Sequence, residues 1–173
     1  MSHTFSVDGI AGNIISIPGH YELDIDNDIS CDSKIGEGGT SVIYKGTLSS
    51  ATLMAKYPFN DVVLKVLKPF NQDLRSLWKL EIAIMSNTPP HPNVVQFVGY
   101  SEKPFSIIIK YYPASLSSLL SKPHLLYNHE IMTKVAYDIA VGMMHVHDNG
   151  ILHLDLKPRK QIIYVYSMVL KNN

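Results

Sequence analysis

The sequence predicts an α+β fold with a β-rich first part and a helical second part. Three observations carry this. Residues 41–45 (Ser-Val-Ile-Tyr-Lys) and 61–67 (Asp-Val-Val-Leu-Lys-Val-Leu) are rich in β-branched residues and read as strands. Between 71 and 88, Leu74, Leu77, Trp78, Ile82 and Met85 recur at helical spacing. A second stripe of Ile131, Val135, Ile139, Met143 and Val146 runs through 128–148. Strands, one helix, strands and then helices is the order of a chain that segregates its sheet from its helices.

Taken in order, residues 1–20 carry Gly9, Gly12, Pro18 and Gly19 with little periodicity and read as a loose leader. Residues 21–26 (Tyr-Glu-Leu-Asp-Ile-Asp) alternate apolar and acidic side chains, which suits an edge strand or a tether packed on one face. Residues 49–60 form a polar connection, and Pro69 stops the strand that follows it. Pro89, Pro90 and Pro92 end the first helix. Residues 94–98 and 105–110 read as a strand pair about the turn Ser101-Glu-Lys-Pro104, closed by Pro113. Residues 116–120 suit a short helix, Asn128 can cap the long one, and Asn149-Gly150 is a natural helix stop. Residues 162–166 are strand-like again.

Composition narrows the class. The chain has 173 residues, enough for one core, and 15 basic against 15 acidic residues. That balance argues against a broadly basic nucleic-acid binder and against an acidic tail. With 46% hydrophobic and 17% charged residues the chain is too apolar to be disordered. The single cysteine, Cys31, excludes an internal disulfide framework, fits a reducing compartment, and reads as an ordinary strand residue. His3, Asp8 and Asn13 interrupt any secretory signal, and the apolar stretch 162–170 is well short of the roughly 20 residues that span a bilayer. A soluble, cytoplasmic chain without a membrane span is expected.

Three segments carry chemistry. Ile35-Gly-Glu-Gly-Gly-Thr-Ser-Val-Ile43 places Gly36, Gly38 and Gly39 between strand-like segments, where backbone N–H groups can approach a phosphate; taken alone, it reads rather as a flexible hairpin turn. A strand after the loop, rather than a helix, argues against a dinucleotide-binding or P-loop reading. Lys65 interrupts an apolar strand and is either an exposed edge lysine or paired. Glu81 stands four residues after Leu77 and three after Trp78, on the apolar stripe, where a carboxylate needs a cation. Lys65 is the candidate partner, and a Lys–Glu pair beneath a phosphate-cradling loop suits a nucleoside triphosphate. Lastly, alternation in Ile151-Leu-His-Leu-Asp-Leu-Lys-Pro158 puts His153, Asp155 and Lys157 on one side and Leu152, Leu154 and Leu156 on the other. Asp155 can accept a hydroxyl proton while Lys157 stabilises phosphate charge, or the segment is an amphipathic strand with a charged outer face. His145 and His147, two apart on a helix, point about 200° apart and do not chelate together. Met143, Met144, Met168 and Trp78 read as packing.

In this order and at these spacings the segments resemble the protein kinase family. Val62-Val-Leu-Lys65 looks like its lysine-bearing strand, Glu81 like its helix glutamate, His91-Pro-Asn-Val-Val95 like its H-P-N-I-V segment, Ile109-Lys-Tyr-Tyr-Pro113 like its gatekeeper and hinge, and His153-Leu-Asp-Leu-Lys-Pro158 like its catalytic loop. The resemblance covers about residues 21–160. Lys157 points to Ser/Thr specificity, and Tyr21-Glu-Leu-Asp24 with Gly38-Gly39 to the tyrosine-kinase-like branch. It implies a leader at 1–20, a kinase N-lobe at 21–110, the hinge and start of a helical C-lobe at 111–160, and a divergent tail at 161–173. It implies ATP and Mg²⁺ as cofactors and a protein as substrate. The backbone of Gly36, Glu37, Gly38, Gly39, Thr40 and Ser41, following Ile35, would cover the phosphates. Ile43, Val63 and Ile109 would line the adenine site, and the Tyr111 and Tyr112 backbone would bond the base. Lys65 would hold the α- and β-phosphates, Glu81 would orient it, Asp155 would be the catalytic base and Lys157 would contact the γ-phosphate.

The sequence departs from the family in four places. Ser41 replaces the third glycine, Val63 an alanine, and Leu154 the arginine before the catalytic aspartate. Lys160 stands where a Mg²⁺-binding asparagine is expected, and an ammonium has no lone pair for a metal. No Asp-Phe-Gly or Ala-Pro-Glu follows, so the resemblance is to a kinase domain cut short after its catalytic loop. A shifted reading frame or alternative exon near 159 is one source of such a change. Two functions stay open: phosphoryl transfer from ATP to Ser/Thr of a protein, or a catalytically impaired pseudokinase serving as a nucleotide-binding or scaffold module.

Overall fold

The computed structural model describes residues 5–8, 14–69, 72–122, 128–153 and 156. Asp155, Lys157, Lys160, Leu154, Met168 and the strand-like 162–166 lie outside them. The described chain divides into two units, one of residues 1–89 and 96–111 and one of 90–95 and 112–173.

The first unit holds a five-stranded antiparallel sheet of β3 (Ile29–Glu37), β4 (Ser41–Leu48), β5 (Asp61–Leu67), β6 (Phe97–Glu102) and β7 (Phe105–Lys110), in the order β3-β4-β5-β7-β6. One face packs Leu48, Val62, Leu64, Val98 and Ile108 with Leu23, Ile29, Leu53 and Tyr57. The Tyr57 hydroxyl donates to the Val98 carbonyl at 3.1 Å, so the phenol is buried with its polar end satisfied. The other core gathers Tyr100 and Ile107 from the sheet with Trp78, Ile82 and Ala83 from α3 (Gln72–Asn87).

Residues 1–20 are not simply a loose leader. β1 (Phe5–Asp8) and β2 (Ile14–Ile17) pair as an antiparallel hairpin, and Ile17 is 1% exposed against the α3 core. Glycine content masked the β-branched run Ile14-Ile-Ser-Ile17. Burying an isoleucine fully is worth roughly 1.5–3 kcal/mol, enough to dock a hairpin that is marginal alone.

The 21–26 segment is a tether. Glu22 makes a single parallel bridge to Tyr100, the Leu23 N–H donates to the Tyr100 carbonyl at 2.8 Å, and Leu23 is buried. α1 (Ile25–Asp28), one turn capped by the Asp24 side chain, follows. The polar connection 49–60 contains α2 (Ala51–Lys56), held by buried Leu53. Tertiary burial of one leucine outweighs its neighbours' polarity.

Two apolar assignments fail. Leu77 is 60% exposed. It lies about 100° around the helix from Trp78, and the buried stripe follows Trp78 and Ile82 instead. Met144 is likewise exposed, off the long-helix stripe. The strand expected at 94–98 begins at Phe97, because Val94 N–H closes a turn onto the His91 carbonyl.

In the second unit, α4 (Leu116–Leu120) starts with a Ser115–Ser118 capping box, and α5 (His129–Asp148) with the Asn128 side chain accepting from Ile131 N–H at 3.0 Å. Leu116, Leu119 and Val135 form its core with Ile131 and Ile139 beside them. Gly150, at φ +73°, ends α5 with its N–H on the His147 carbonyl. His91, from the H-P-N segment, joins this unit: its ring stacks on His145 at 4.6 Å, and its Nδ1 accepts from Asn93 N–H. No described helix is long and apolar enough to cross a membrane.

Three buried polar atoms have no hydrogen-bond partner among the described residues: Trp78 Nε1, Tyr100 Oη and Glu102 Oε1. Burial first, then the carboxylates of Glu22 and Glu102, pushes the Tyr100 phenol up to about 12. The folded state therefore keeps a proton that the unfolded chain releases above pH 10, so stability falls as pH rises from about 10 to about 12, by on the order of 2 kcal/mol for this group. Tyr100→Phe is expected to match or exceed wild-type stability at pH 7 and to lose less between pH 9 and 11. Urea melts at pH 7, 9 and 11 check both.

Candidate functional site

The strand register brings the candidate residues of the first unit onto one face. Gly36 pairs with Ile43, Ile43 with Lys65, and Lys65 with Ile107; beside this row Val63 pairs with Ile109. Partners across an antiparallel sheet share a face, as do residues two apart. Ile43, Val63, Lys65, Ile107 and Ile109 therefore lie together, and Ile43, Val63 and Ile109 are half-buried.

α3 supplies the carboxylate. Lys65 Nζ donates to both Glu81 oxygens at 2.6 Å. Glu81 sits at the shoulder of the buried stripe, on the exposed Leu77 side, rather than in it. The side chains are 35% and 43% exposed, so the pair is worth about 0–1 kcal/mol to the fold. The anchored lysine keeps about a third of its side chain in solvent, so it is able to meet an anion.

The glycine loop joins β3 to β4. Gly38 N–H donates to the Ser41 carbonyl at 2.8 Å, and Lys68 N–H to the Thr40 carbonyl at 3.0 Å. Ser41 is buried, while Ile35, Glu37, Gly38, Gly39 and Thr40 are exposed. A Cβ built on Gly39 meets nothing within 4 Å, and one on Gly38 only the Ser41 carbonyl at 3.8 Å. The chain's own packing leaves room for side chains there, so the two bare backbones leave space for a molecule outside the chain.

Sequence reasoning missed what ties this loop. Glu37 bonds Lys34, and Lys68 Nζ lies 2.5 Å from its other oxygen. The bond from Lys34 and then that from Lys68 lower the Glu37 carboxyl to about 2. A lone acid between loop glycines, with a lysine three residues away on one side, was the available signal. The same reasoning gave Tyr111 an adenine hydrogen bond through its backbone. Its N–H is engaged by the Asp61 carbonyl at 3.0 Å, so a base could meet Tyr111 only at its carbonyl.

At the far end of α5, Ile151–His153 form no strand, and Leu152 and Leu156 are 73% and 48% exposed, so the expected sheltered leucine side is not seen there. Among the described residues no group of three His, Cys, Asp or Glu could hold a metal ion.

A five-stranded antiparallel sheet with a glycine hairpin, a strand lysine and a helix glutamate in direct contact is the arrangement of a kinase N-lobe. The family model of the protein tyrosine and serine/threonine kinases matches residues 29–169, and the chain belongs to that family. The match takes in 161–169, beyond the catalytic-loop motif. A probable serine/threonine-protein kinase of Dictyostelium discoideum is 27% identical over 201 residues, covering 90% of this chain and 13% of that protein. The serine/threonine-protein kinase STY46 of Arabidopsis thaliana is 36% identical over 129 residues, covering 72% and 21%. STY17 of the same plant is 27% identical over 175 residues, covering 96% and 29%. The chain thus spans less than a third of the length of each of these serine/threonine kinases.

Proposed function

We propose that this chain binds ATP through its sheet unit as a serine/threonine-type protein kinase domain. The observation that carries the reading is the bidentate Lys65–Glu81 contact, on the sheet face of Ile43, Val63 and Ile109 and beside a glycine loop with open backbone. Lys65 holds the α- and β-phosphates while Glu81 fixes its ammonium. The backbone from Gly36 to Ser41, between Ile35 and Val42, covers the phosphates, with the Gly38 N–H already engaged by the Ser41 carbonyl. Ile43, Val63 and Ile109 take the adenine face, and the Tyr111 carbonyl and the Tyr112 backbone its polar edge. Val63 is bulkier than the family's alanine and is expected to weaken affinity for adenine.

In the transfer reaction, a substrate serine or threonine oxygen forms a bond to the γ-phosphorus. The bond from that phosphorus to the bridging oxygen breaks, ADP leaves, and the hydroxyl proton passes to Asp155. Lys157 stabilises the γ-phosphate charge. Lys160 does not fit Mg²⁺: it stands where the family's metal-binding asparagine would be and offers a donor-only ammonium with no lone pair. No step is assigned to the metal. This donor set favours the second reading, a nucleotide-binding or scaffold pseudokinase. The unpaired, exposed Cys31 suits a reducing, cytoplasmic location.

Thermal melting with ATP, with and without Mg²⁺, tests the proposal. At ten times its dissociation constant ATP stabilises by about 1.4 kcal/mol, a rise of roughly 3–6 °C. A rise that ignores Mg²⁺ supports the pseudokinase. No rise at millimolar ATP removes both nucleotide readings. Transfer of labelled phosphate by this chain, lost in Asp155→Asn, would establish the kinase instead.

A further inference from the structure

The Lys65–Glu81 contact requires α3 to lie at a fixed distance and rotation from β5, yet a pair so open to water contributes too little to hold a helix there. What holds α3 is its buried stripe. Trp78 and Ile82 flank Glu81 in sequence, three residues before it and one after, and both lie in the core cluster that contains Ile17 of the β1–β2 hairpin. The hairpin grips a second point. Asn87, the last residue of α3, donates from Nδ2 to the Ser16 carbonyl at 2.9 Å and to the Ala83 carbonyl at 2.8 Å. The same amide thus ties β2 to the helix end. The hairpin pairs with no strand of the five-stranded sheet.

We propose that the paired strands β1 and β2 are a positioning element for nucleotide binding, with Ile17 and Asn87 as positioning residues that set α3 so that Glu81 meets Lys65. The proposal rests on the ATP-binding reading above and adds what controls it. Neither residue touches the lysine or the glycine loop; each acts through the helix. A change in the segment carrying the hairpin would move nucleotide affinity without altering any residue assigned to the nucleotide.

The test uses the whole chain with Ile17→Ala, Ile17→Val and Asn87→Ala. It reads native-state hydrogen exchange of the α3 amides without nucleotide, the ATP dissociation constant, and the emission of Trp78, the one tryptophan of the sequence. Ile17→Ala is expected to lower α3 protection at least tenfold relative to the β4–β5 amides and to weaken ATP binding three- to tenfold. Ile17→Val should restore most of both. Asn87→Ala, which leaves the apolar core intact and folds, should act in the same direction and more weakly. Unchanged α3 protection in both Ile17→Ala and Asn87→Ala overturns the proposal. So does lost protection with unchanged ATP affinity, since the hairpin is then structural only. If the wild type binds no ATP, the function reading fails by itself, and α3 protection and Trp78 emission, read without nucleotide, decide whether the hairpin sets the helix.

Discussion

Lys65→Met is expected to weaken ATP binding at least tenfold while shifting the melting temperature by no more than about 3 °C. The asymmetry follows from exposure. The variant loses an ion pair worth about 0–1 kcal/mol to folding, because water already screens both partners. It also removes the cation that Glu81 anchors on the sheet face of Ile43, Val63 and Ile109. Methionine keeps the unbranched stem and loses only the ammonium, so packing against the strand survives. Glu81→Gln leaves the cation and is expected to weaken binding less. Titration calorimetry with ATP and a parallel thermal melt separate the two effects. An ATP affinity equal to that of the wild type would remove Lys65 from the site, and a loss of more than about 10 °C would show the pair to be structural.

Gly99→Ala is expected to cost about 3 kcal/mol, with a fall in melting temperature of roughly 6–12 °C. A Cβ at Gly99 would stand 2.5 Å from the Tyr21 carbonyl oxygen and 2.7 Å from Leu23 Cγ and Cδ1. The first is backbone and cannot swing aside. Relief would have to break the Glu22 bridge and the Leu23 N–H bond that tether 21–26 to Tyr100. Gly39→Ala is the control: its Cβ meets nothing, so stability should stay within about 0.5 kcal/mol while ATP affinity falls. Urea unfolding of the two variants gives the comparison, and equal losses would contradict it.

Much of the site was legible because each partner broke a local pattern. Lys65 is a charge in an apolar strand, and Glu81 a charge beside an apolar helical stripe. Two such exceptions on adjacent elements are best resolved by meeting, and the 2.6 Å contact is that meeting. The grouping of Val63 and Ile109 with Lys65 came from the family resemblance alone, and the strand register is what puts the three on one face. The glycine loop was visible as a motif, but not its Lys34–Glu37–Lys68 ties, because a surface ion pair leaves no periodic trace.

Other features depended on distant parts of the chain. Leu77 and Trp78 are equally apolar neighbours at helical spacing, and only the position of the sheet decided that Trp78 is buried and Leu77 is not. Residues 5–8 with 14–17, and residues 51–56, became docked strands and a helix because single side chains, Ile17 and Leu53, found cores built by others. The need for glycine at 99 comes from a carbonyl seventy-eight positions earlier.

The sequence by itself determined the α+β class, the order of the main strands and helices, and the family, because periodicity and motif spacing are local properties that survive without a partner. Tertiary structure decided which apolar residues are core, how α3 is held, and that Tyr111 N–H is already engaged. Burial and hydrogen-bond satisfaction depend on which distant groups arrive, and no local window contains them.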